Sequence, residues 1–507
     1  MKQKTFNEFA VEYNGRTFQF DTLLQPTEWR YSASVLGLKR YLDSMSGYEE
    51  EKYLLLSKLK EKGITLTLPE EINPIFGFDG ILYNSKDITE ESYLAFVEKE
   101  FASEMTHLKI LDNIRKYKDI DDEKAKQQAL KDINELIKSK SVLKSLLKEK
   151  FDGTNGAYFE DIIAKNRAKI TEDIYSNSPK MYKGFIGLKK SKKIKILFDN
   201  VKPHARLQNY TVDEGRKTRY LGYGFDKDTF VGEDIPEFDF IPFAFTKTYE
   251  SYFVNNNFSI KDLERTNRQF QENIHNNEED KSSSTKLYKA LKNAESYINY
   301  DVEIIIKPRD KEQYQTLFVR AERLKALHEL KYDNLKFYYK INDDFYFNLE
   351  NEVYERCLND VLLNDVIEFM LKLSVKQQAD DINTGMTRIK IDKIIHINEK
   401  WRGVSDMTDI DRARATGFYV SQQFVKDKNE NKLNSYKQKL ISSIVAHDYS
   451  RMNEILLSLS SYINQELGFA YPLFENPEEN IGLAYAFANA LSTKPVDPNK
   501  DNKKENE

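Results

Sequence analysis

Cysteine is almost missing from this chain: Cys357 stands alone among 507 residues. A single thiol closes no intramolecular disulfide and supplies no cysteine-ligated zinc site, and it fits a reducing compartment such as the cytoplasm. Tryptophan occurs twice and histidine six times. The histidines, His107, His204, His275, His328, His396 and His447, have no histidine neighbour at ligand spacing, so each reads as a surface or satisfied core side chain. No stretch of eighteen apolar residues exists, so no membrane span is expected. Met1 to Glu8 lacks the apolar core of a secretory signal, and export is not expected. Also missing are the His-Glu-x-x-His pair, a phosphate loop ending in Gly-Lys-Ser/Thr and a Gly-x-Ser-x-Gly elbow. No catalytic, metal or cofactor site is therefore expected from motifs.

What is present is a well-charged chain, 31% charged and 40% hydrophobic, whose length suits about three domains. The net charge of −5 gives no global attraction for a polyanion. Its distribution does. Between Lys180 and Tyr220, twelve basic side chains face three acidic ones, net +9 in forty-one residues: Lys180, Lys183, Lys189, Lys190, Lys192, Lys193, Lys195, Lys202, Arg206, Arg216, Lys217 and Arg219. Tyr182, Phe185, Tyr210 and Tyr220 are interleaved, and Lys192 to Phe198 partly alternates basic with apolar. Lysines with aromatics are the footprint of phosphate contact plus base stacking. The same pattern also fits a solvated strand face.

The densest aromatic segment follows. Phe238, Phe240, Phe243, Phe245, Tyr249, Tyr252, Phe253 and Phe258 fall within twenty-one residues. Alternation around Asp239, interrupted by Pro242, predicts an edge strand, and Asn255, Asn256 and Asn257 predict a turn. The segment reads as a buried aromatic seam, or as a seam that ends in an Asn-rich loop beside a nucleic-acid groove.

The rest predicts an α+β fold: a mixed N-terminal region over 1–150, a β-rich basic section over 151–260, a mainly helical part over 261–400, a C-terminal helical bundle over 401–493, and a disordered charged tail over 494–507. Within the first region, helices are expected from Thr27 to Leu42, from a capping box at Asp87 and Glu90 onward to Leu108, and over 121–150. Strands are expected over Ile64 to Leu68 and Phe76 to Tyr83. Val302 to Ile306 predicts a strand, and Phe337 to Ile341 with Asp344 to Asn348 a hairpin. In the bundle, Asp406 is expected to cap one helix, a capping box at Ser435 and Gln438 to open a second, a third to run from Met452 to Gly468, and Asn476-Pro-Glu-Glu479 to open the last, with Ile481, Ala484, Tyr485, Ala488 and Leu491 on its packing face. The best nuclease candidate is the strand carrying Asp301, Glu303 and Lys307 on one face. Its acid and lysine stand four apart rather than two, and an ordinary edge strand fits as well.

Three segments resemble the large subunit of type I CRISPR effector complexes, the Cascade assemblies. They are Tyr31-Ser-Ala-Ser-Val-Leu-Gly-Leu-Lys-Arg-Tyr-Leu42, then Ile241-Pro-Phe-Ala-Phe245 with Glu250-Ser-Tyr-Phe-Val-Asn-Asn-Asn-Phe-Ser-Ile260, then Lys439-Leu-Ile-Ser-Ser-Ile-Val-Ala-His-Asp448 with Met452-Asn-Glu-Ile-Leu-Leu457. The paired Cys-x-x-Cys motifs of a zinc-containing branch are absent. The resemblance implies a non-catalytic subunit without cofactor, at the foot of the complex near the 5′ end of the guide RNA. Such a subunit recognises a short duplex motif beside the target (the PAM), helps open the duplex and presents it to a recruited helicase-nuclease. Its partners are guide RNA, target double-stranded DNA and the other Cascade subunits. Pairing to the guide reads sequence while protein reads shape and the flanking motif. On this view Lys183, Lys189, Lys190, Lys192, Lys193, Lys195, Lys202, Arg206, Arg216, Lys217 and Arg219 hold phosphates, and Asn255, Asn256 and Asn257 supply amides for a base edge. The C-terminal helices look like the small-subunit bundle of related systems, with Met386 or Met407 as an internal start. Two other functions stay open on the residues alone: a metal-dependent defence nuclease centred on Asp301 and Glu303, and a helical scaffold with no nucleic-acid role.

Overall fold

A computed structural model describes residues 8–66, 74–185, 235–248, 250–276, 283–308, 314–329, 335–343, 346–404 and 406–492. It is an α+β fold with a helical bulk and several small sheets. The chain divides into two compact units, Met1–His275 with Ser296–Val319, and Asn276–Glu295 with Arg320–Glu507. Among the described residues, no helix is long and apolar enough to cross a membrane.

The first unit begins with the hairpin Phe9–Tyr13 and Arg16–Phe20, joined by Asn14 and Gly15, both at positive φ. An Asn-Gly pair meets that need without a steric penalty. A three-stranded antiparallel sheet follows, with Ile81–Tyr83 between Thr22–Leu24 and Tyr53–Leu55. Only these last three residues of the expected strand 76–83 are extended, and residues 64–66 form no strand. Glycines 77 and 80 explain the first difference, because each loosens the strand and Gly77 turns at φ 93°.

Helix Trp29–Ser44 starts two residues later than Thr27 and presses against the aromatic segment. A Cβ on Gly37 would lie 2.0 Å from the Phe240 carbonyl oxygen, so only glycine permits this approach. The expected edge strand at Phe238 and Phe240 is instead a short 3-10 helix, Pro236–Phe240, that runs into the helical turn Ile241–Ala244. Pro236 and Pro242 each sit in the opening turn, where fixed φ favours a helix. Two aromatic residues separated by one acid imitate strand alternation without being one. Phe243 then centres a cluster with Phe96 at 4.7 Å, Tyr93 and Phe101 at 5.7 Å and Tyr175 stacked at 6.1 Å between ring centroids. Phe238, Phe240, Phe243, Phe245, Tyr252 and Phe253 are thus a buried seam, whereas Phe258 is exposed and Tyr249 lies outside the described residues.

Helix Glu90–Glu100 is opened by Thr89 and Ser92, not Asp87 and Glu90: Thr89 Oγ1 accepts from the Ser92 amide at 3.2 Å. The chain bends at Phe101, whose ring enters the cluster, and resumes as Thr106–Tyr117. Charge-laced 121–150 is helical, as Glu123–Ser139 and Ser141–Leu146. The β-rich section expected over 151–260 is helical where described up to Phe185, as Gly156–Lys165, Arg167–Asn177 and Tyr182–Phe185. Strand Ser251–Asn255 then pairs antiparallel with Val302–Lys307, which pairs with Gln315–Val319.

The second unit holds the expected hairpin, Tyr338–Lys340 with Tyr346–Asn348, and the helices Asn364–Ala379, Gly385–Trp401, Thr408–Lys426, Glu430–Val445, Tyr449–Ile463 and Ile481–Ala490. All ten residues of the last helix are buried, so it is a core rod rather than a helix with one packing face. Asp406 Oδ1 accepts from the Thr408 amide at 2.9 Å and anchors its helix as expected, though from one residue before the cap. Ser435 and Gln438 lie inside Glu430–Val445 and open nothing; a Ser-x-x-Gln spacing also occurs within helices. Helix Tyr449–Ile463 ends at Asn464 in the left-handed region, four residues before Gly468. Asn476 to Asn480 form a turn, and the last helix starts only at Ile481.

Candidate nucleic-acid interface

The sequence-predicted basic residues divide sharply. Lys183 is exposed on Tyr182–Phe185, flanked by two buried aromatic anchors. Lys189, Lys190, Lys192, Lys193, Lys195, Lys202, Arg206, Arg216, Lys217 and Arg219 lie outside the described residues.

The asparagines are placed, in the first unit. Asn255 ends its strand and is half-buried, with Nδ2 3.4 Å from Glu303 Oε2 on the paired strand. Asn256 is only 3% exposed, and its Nδ2 donates to Thr266 Oγ1 at 2.9 Å. Its amide thus ties the turn to the following helix. Asn257 is half-buried and donates to the Thr27 carbonyl at 3.1 Å.

Helix Ile260–His275 is fixed at its start and along its inner face. Ser259 Oγ accepts from the Asp262 amide at 3.0 Å, and Asp79 Oδ2 accepts from the Ile260 amide at 3.1 Å. Both satisfy donors that a helix start leaves orphaned. Asp79 also accepts from the Ser57 and Gly80 amides at 2.8 and 2.9 Å, so one carboxylate joins three segments. Asn267 clamps Val254 with both amide atoms, at 2.9 and 2.8 Å. Leu263, Phe270 and Ile274 are buried beneath it.

The exposed side chains of this helix up to Arg268 are cationic, and the exposed Glu272 follows one turn later. Lys261, Arg265 and Arg268 are exposed and stand at i, i+4 and i+7, one face of the helix. Arg265 Nη2 pairs with Asp262 at 2.9 Å. Lys261 and Arg268 form no ion pair among the described residues. Beside the helix start, the exposed rings of Phe258 and Tyr300 stack at 4.1 Å with an interplanar angle of 19°. Pairing of Asn255 with Glu303 brings these rings together from forty-two residues apart. No short-range motif announces this; the one signal available was the basic spacing at 261, 265 and 268.

Asp301 and Glu303 follow Tyr300, the first exposed and the second half-exposed. The structure does not bring Lys307 out with them. It is buried, its Nζ 5.6 Å from the centre of the Tyr314 ring and 3.3 Å from the Pro308 carbonyl. Among the described residues, no three His, Cys, Asp or Glu side chains form a metal-holding group.

A further charged cluster among the described residues of this unit is internal. Glu98 accepts from Arg167 Nη2 at 2.6 Å and lies 2.5 Å from His107 Nε2. Burial opposes its charge, yet the Arg167 and His107 hydrogen bonds outweigh it and hold the carboxyl below its usual range. Burial lowers the His107 imidazole despite Glu98, so this pair serves the core.

A family model described as CRISPR-associated protein Csx8 matches residues 20–293 and 268–491. No curated protein matches the chain, and no solved structure does.

Proposed function

The chain belongs to the family of CRISPR-associated protein Csx8, and from that premise we propose that it is the non-catalytic large subunit of a type I effector complex. It binds guide RNA and target DNA, reads the motif flanking the target, and presents the opened duplex to a recruited helicase-nuclease. The family match, which reaches into both units, carries this reading. The exposed cations Lys261, Arg265 and Arg268 support it, as does the basic block from Lys189 to Lys195, because protein contacts in such complexes go mainly to phosphates. The buried Lys307 argues against grouping Asp301, Glu303 and a substrate-facing lysine into a nuclease centre.

The test is a salt titration of nucleic-acid binding by the purified full chain, with cleavage scored in magnesium and manganese. If Lys189, Lys190, Lys192 and Lys193 neutralise four phosphates, their replacement by Ala flattens the log–log slope by about 3 to 4. Affinity should fall for all sequences alike, since phosphate contacts position without specifying. Cleavage abolished by Asp301→Ala or Glu303→Ala would overturn the non-catalytic reading.

A further inference from the structure

Among the described residues of the first unit most aromatic side chains lie inside; of the exposed ones, Phe258 and Tyr300, at 62% and 46% exposure, are stacked on each other. We propose that this pair is a stacking platform for an unpaired nucleobase, whose strand lays its phosphates along Lys261, Arg265 and Arg268. The proposal rests on the nucleic-acid reading above and adds the ligand form, single-stranded rather than paired.

Two stacked, near-parallel rings present an outer π face that accepts a further ring. Base–aromatic stacking of this kind is sequence-tolerant and worth about 1–3 kcal/mol per base. A base within a duplex has both faces covered by its neighbours, so only an unpaired or terminal base offers one. The cations begin one residue into the helix that follows Phe258. At about 1.5 Å rise per residue, Lys261 to Arg268 spans about 10 Å. That is roughly three base steps of a stacked strand at 3.4 Å each. Lys261 and Arg268 have no ion pair among the described residues to give up. Asp301 and Glu303 follow Tyr300 in the chain and are acidic, so phosphate is better placed toward Lys261, Arg265 and Arg268. This polarity suits the strand freed where a duplex is opened.

The experiment uses the full chain and fluorescein-labelled twelve-nucleotide single strands, DNA and RNA in separate arms, with a twelve-base-pair duplex whose two ends are closed by non-nucleotide linkers as reference. Wild type should bind at least one single strand. Phe258→Ala with Tyr300→Ala should weaken that binding about 5- to 150-fold, leave duplex binding within twofold, and keep the salt slope. Tyr300→Phe should retain binding, because the ring is what matters. Lys261→Ala with Arg268→Ala should flatten the single-strand slope by about 1.4. Should the double alanine variant melt early, Phe258→Leu read with a 2-aminopurine strand replaces it: wild type quenches the fluorescence on binding, and the variant should not. Single-strand affinity unchanged in the ring variants, or equal losses for single strand and duplex, would overturn the platform while leaving the large-subunit reading standing. Failure of wild type to bind any of these nucleic acids would overturn both.

Discussion

The two units solve core formation in different ways. In the first, aromatic rings converge from distant sequence: Phe243 meets Tyr93, Phe96, Phe101 and Tyr175, and Tyr182 donates to Asp239 Oδ1 at 2.6 Å. In the second, mostly aliphatic helices follow one another and surround the apolar rod Ile481–Ala490. Arg388 donates from Nε to the Asn489 carbonyl at 3.0 Å and from Nη2 to the Ala490 carbonyl at 3.2 Å, which satisfies the orphaned end of that rod. Tyr485 anchors its middle by donating to Glu368 at 2.7 Å. The first unit therefore depends on tight approaches between converging rings, the second on helices that bury their own periodic faces and are pinned by contacts between residues more than a hundred apart.

The largest expected effect follows from the tightest of those approaches. Gly37→Ala places a methyl 2.0 Å from the Phe240 carbonyl oxygen, a backbone atom held by the surrounding rings. Neither helix can yield without opening the aromatic cluster, and the cost should be about 3 kcal/mol or more. Hydrogen exchange read by mass spectrometry should show protection lost across residues 29–44 and 236–245 while 408–490 stays protected. Native protection at Phe240 would mean that the first unit is more compliant than its geometry implies.

A smaller effect, of opposite sign, comes from the second unit. Lys437 is 2% exposed, and burial, reinforced by Arg388, pushes its ammonium down to about 7 from 10.5. Below pH 7 the folded and unfolded states both carry the charge, and folding bears the full penalty of burying it. Between about pH 7 and 10.5 the unfolded state holds more protons than the folded one, so stability of this unit rises with pH. Lys437→Met keeps the length and removes the charge. It should stabilise the protein by about 1–3 kcal/mol at pH 6.5, within the range for replacing buried charge by an apolar side chain, with the gain fading by pH 9.5. Paired urea titrations at the two pH values check this, and a gain that does not shrink with pH would refute the neutral buried amine.

The same contrast explains what was legible. Helical spacing gave Trp29–Ser44 and Thr408–Lys426, because those elements bury what their own periodicity dictates, whereas Ile481–Ala490 is buried all round and not on the one face expected. It failed at Phe238 to Phe240, where aromatic content imitated a strand, and at Ser435, where a capping spacing fell inside a helix. The candidate interface was half legible. A turn was visible, but Asn255 still belongs to the strand and the turn falls at Asn257 and Phe258, and nothing local shows that Asn256 faces inward onto Thr266 or that Tyr300 returns to Phe258. Those facts depend on the register of Ser251–Asn255 against Val302–Lys307, which is set by partners about fifty residues apart.

The smallest expected effect tests whether local rules govern the second unit down to single residues. Helix Tyr449–Ile463 ends with Asn464 at φ 53° and ψ 42°, where the Gln465 amide reaches the Ser460 carbonyl at 3.2 Å. Left-handed backbone is easy for glycine, tolerable for asparagine and costly for other residues with a Cβ. Asn464→Ala should destabilise by about 1 kcal/mol. Asn464→Gly should lie within about 0.5 kcal/mol of wild type, its easier backbone offset by greater freedom in the unfolded chain. No residue beyond the helix end need move for either change, so Gly37→Ala and the Asn464 pair bracket the range from long-range to local control. Denaturant midpoints for the three Asn464 forms should fall in the order Gly about equal to Asn, then Ala; an alanine variant as stable as wild type would mean that packing, not the helix end, decides where Tyr449–Ile463 stops.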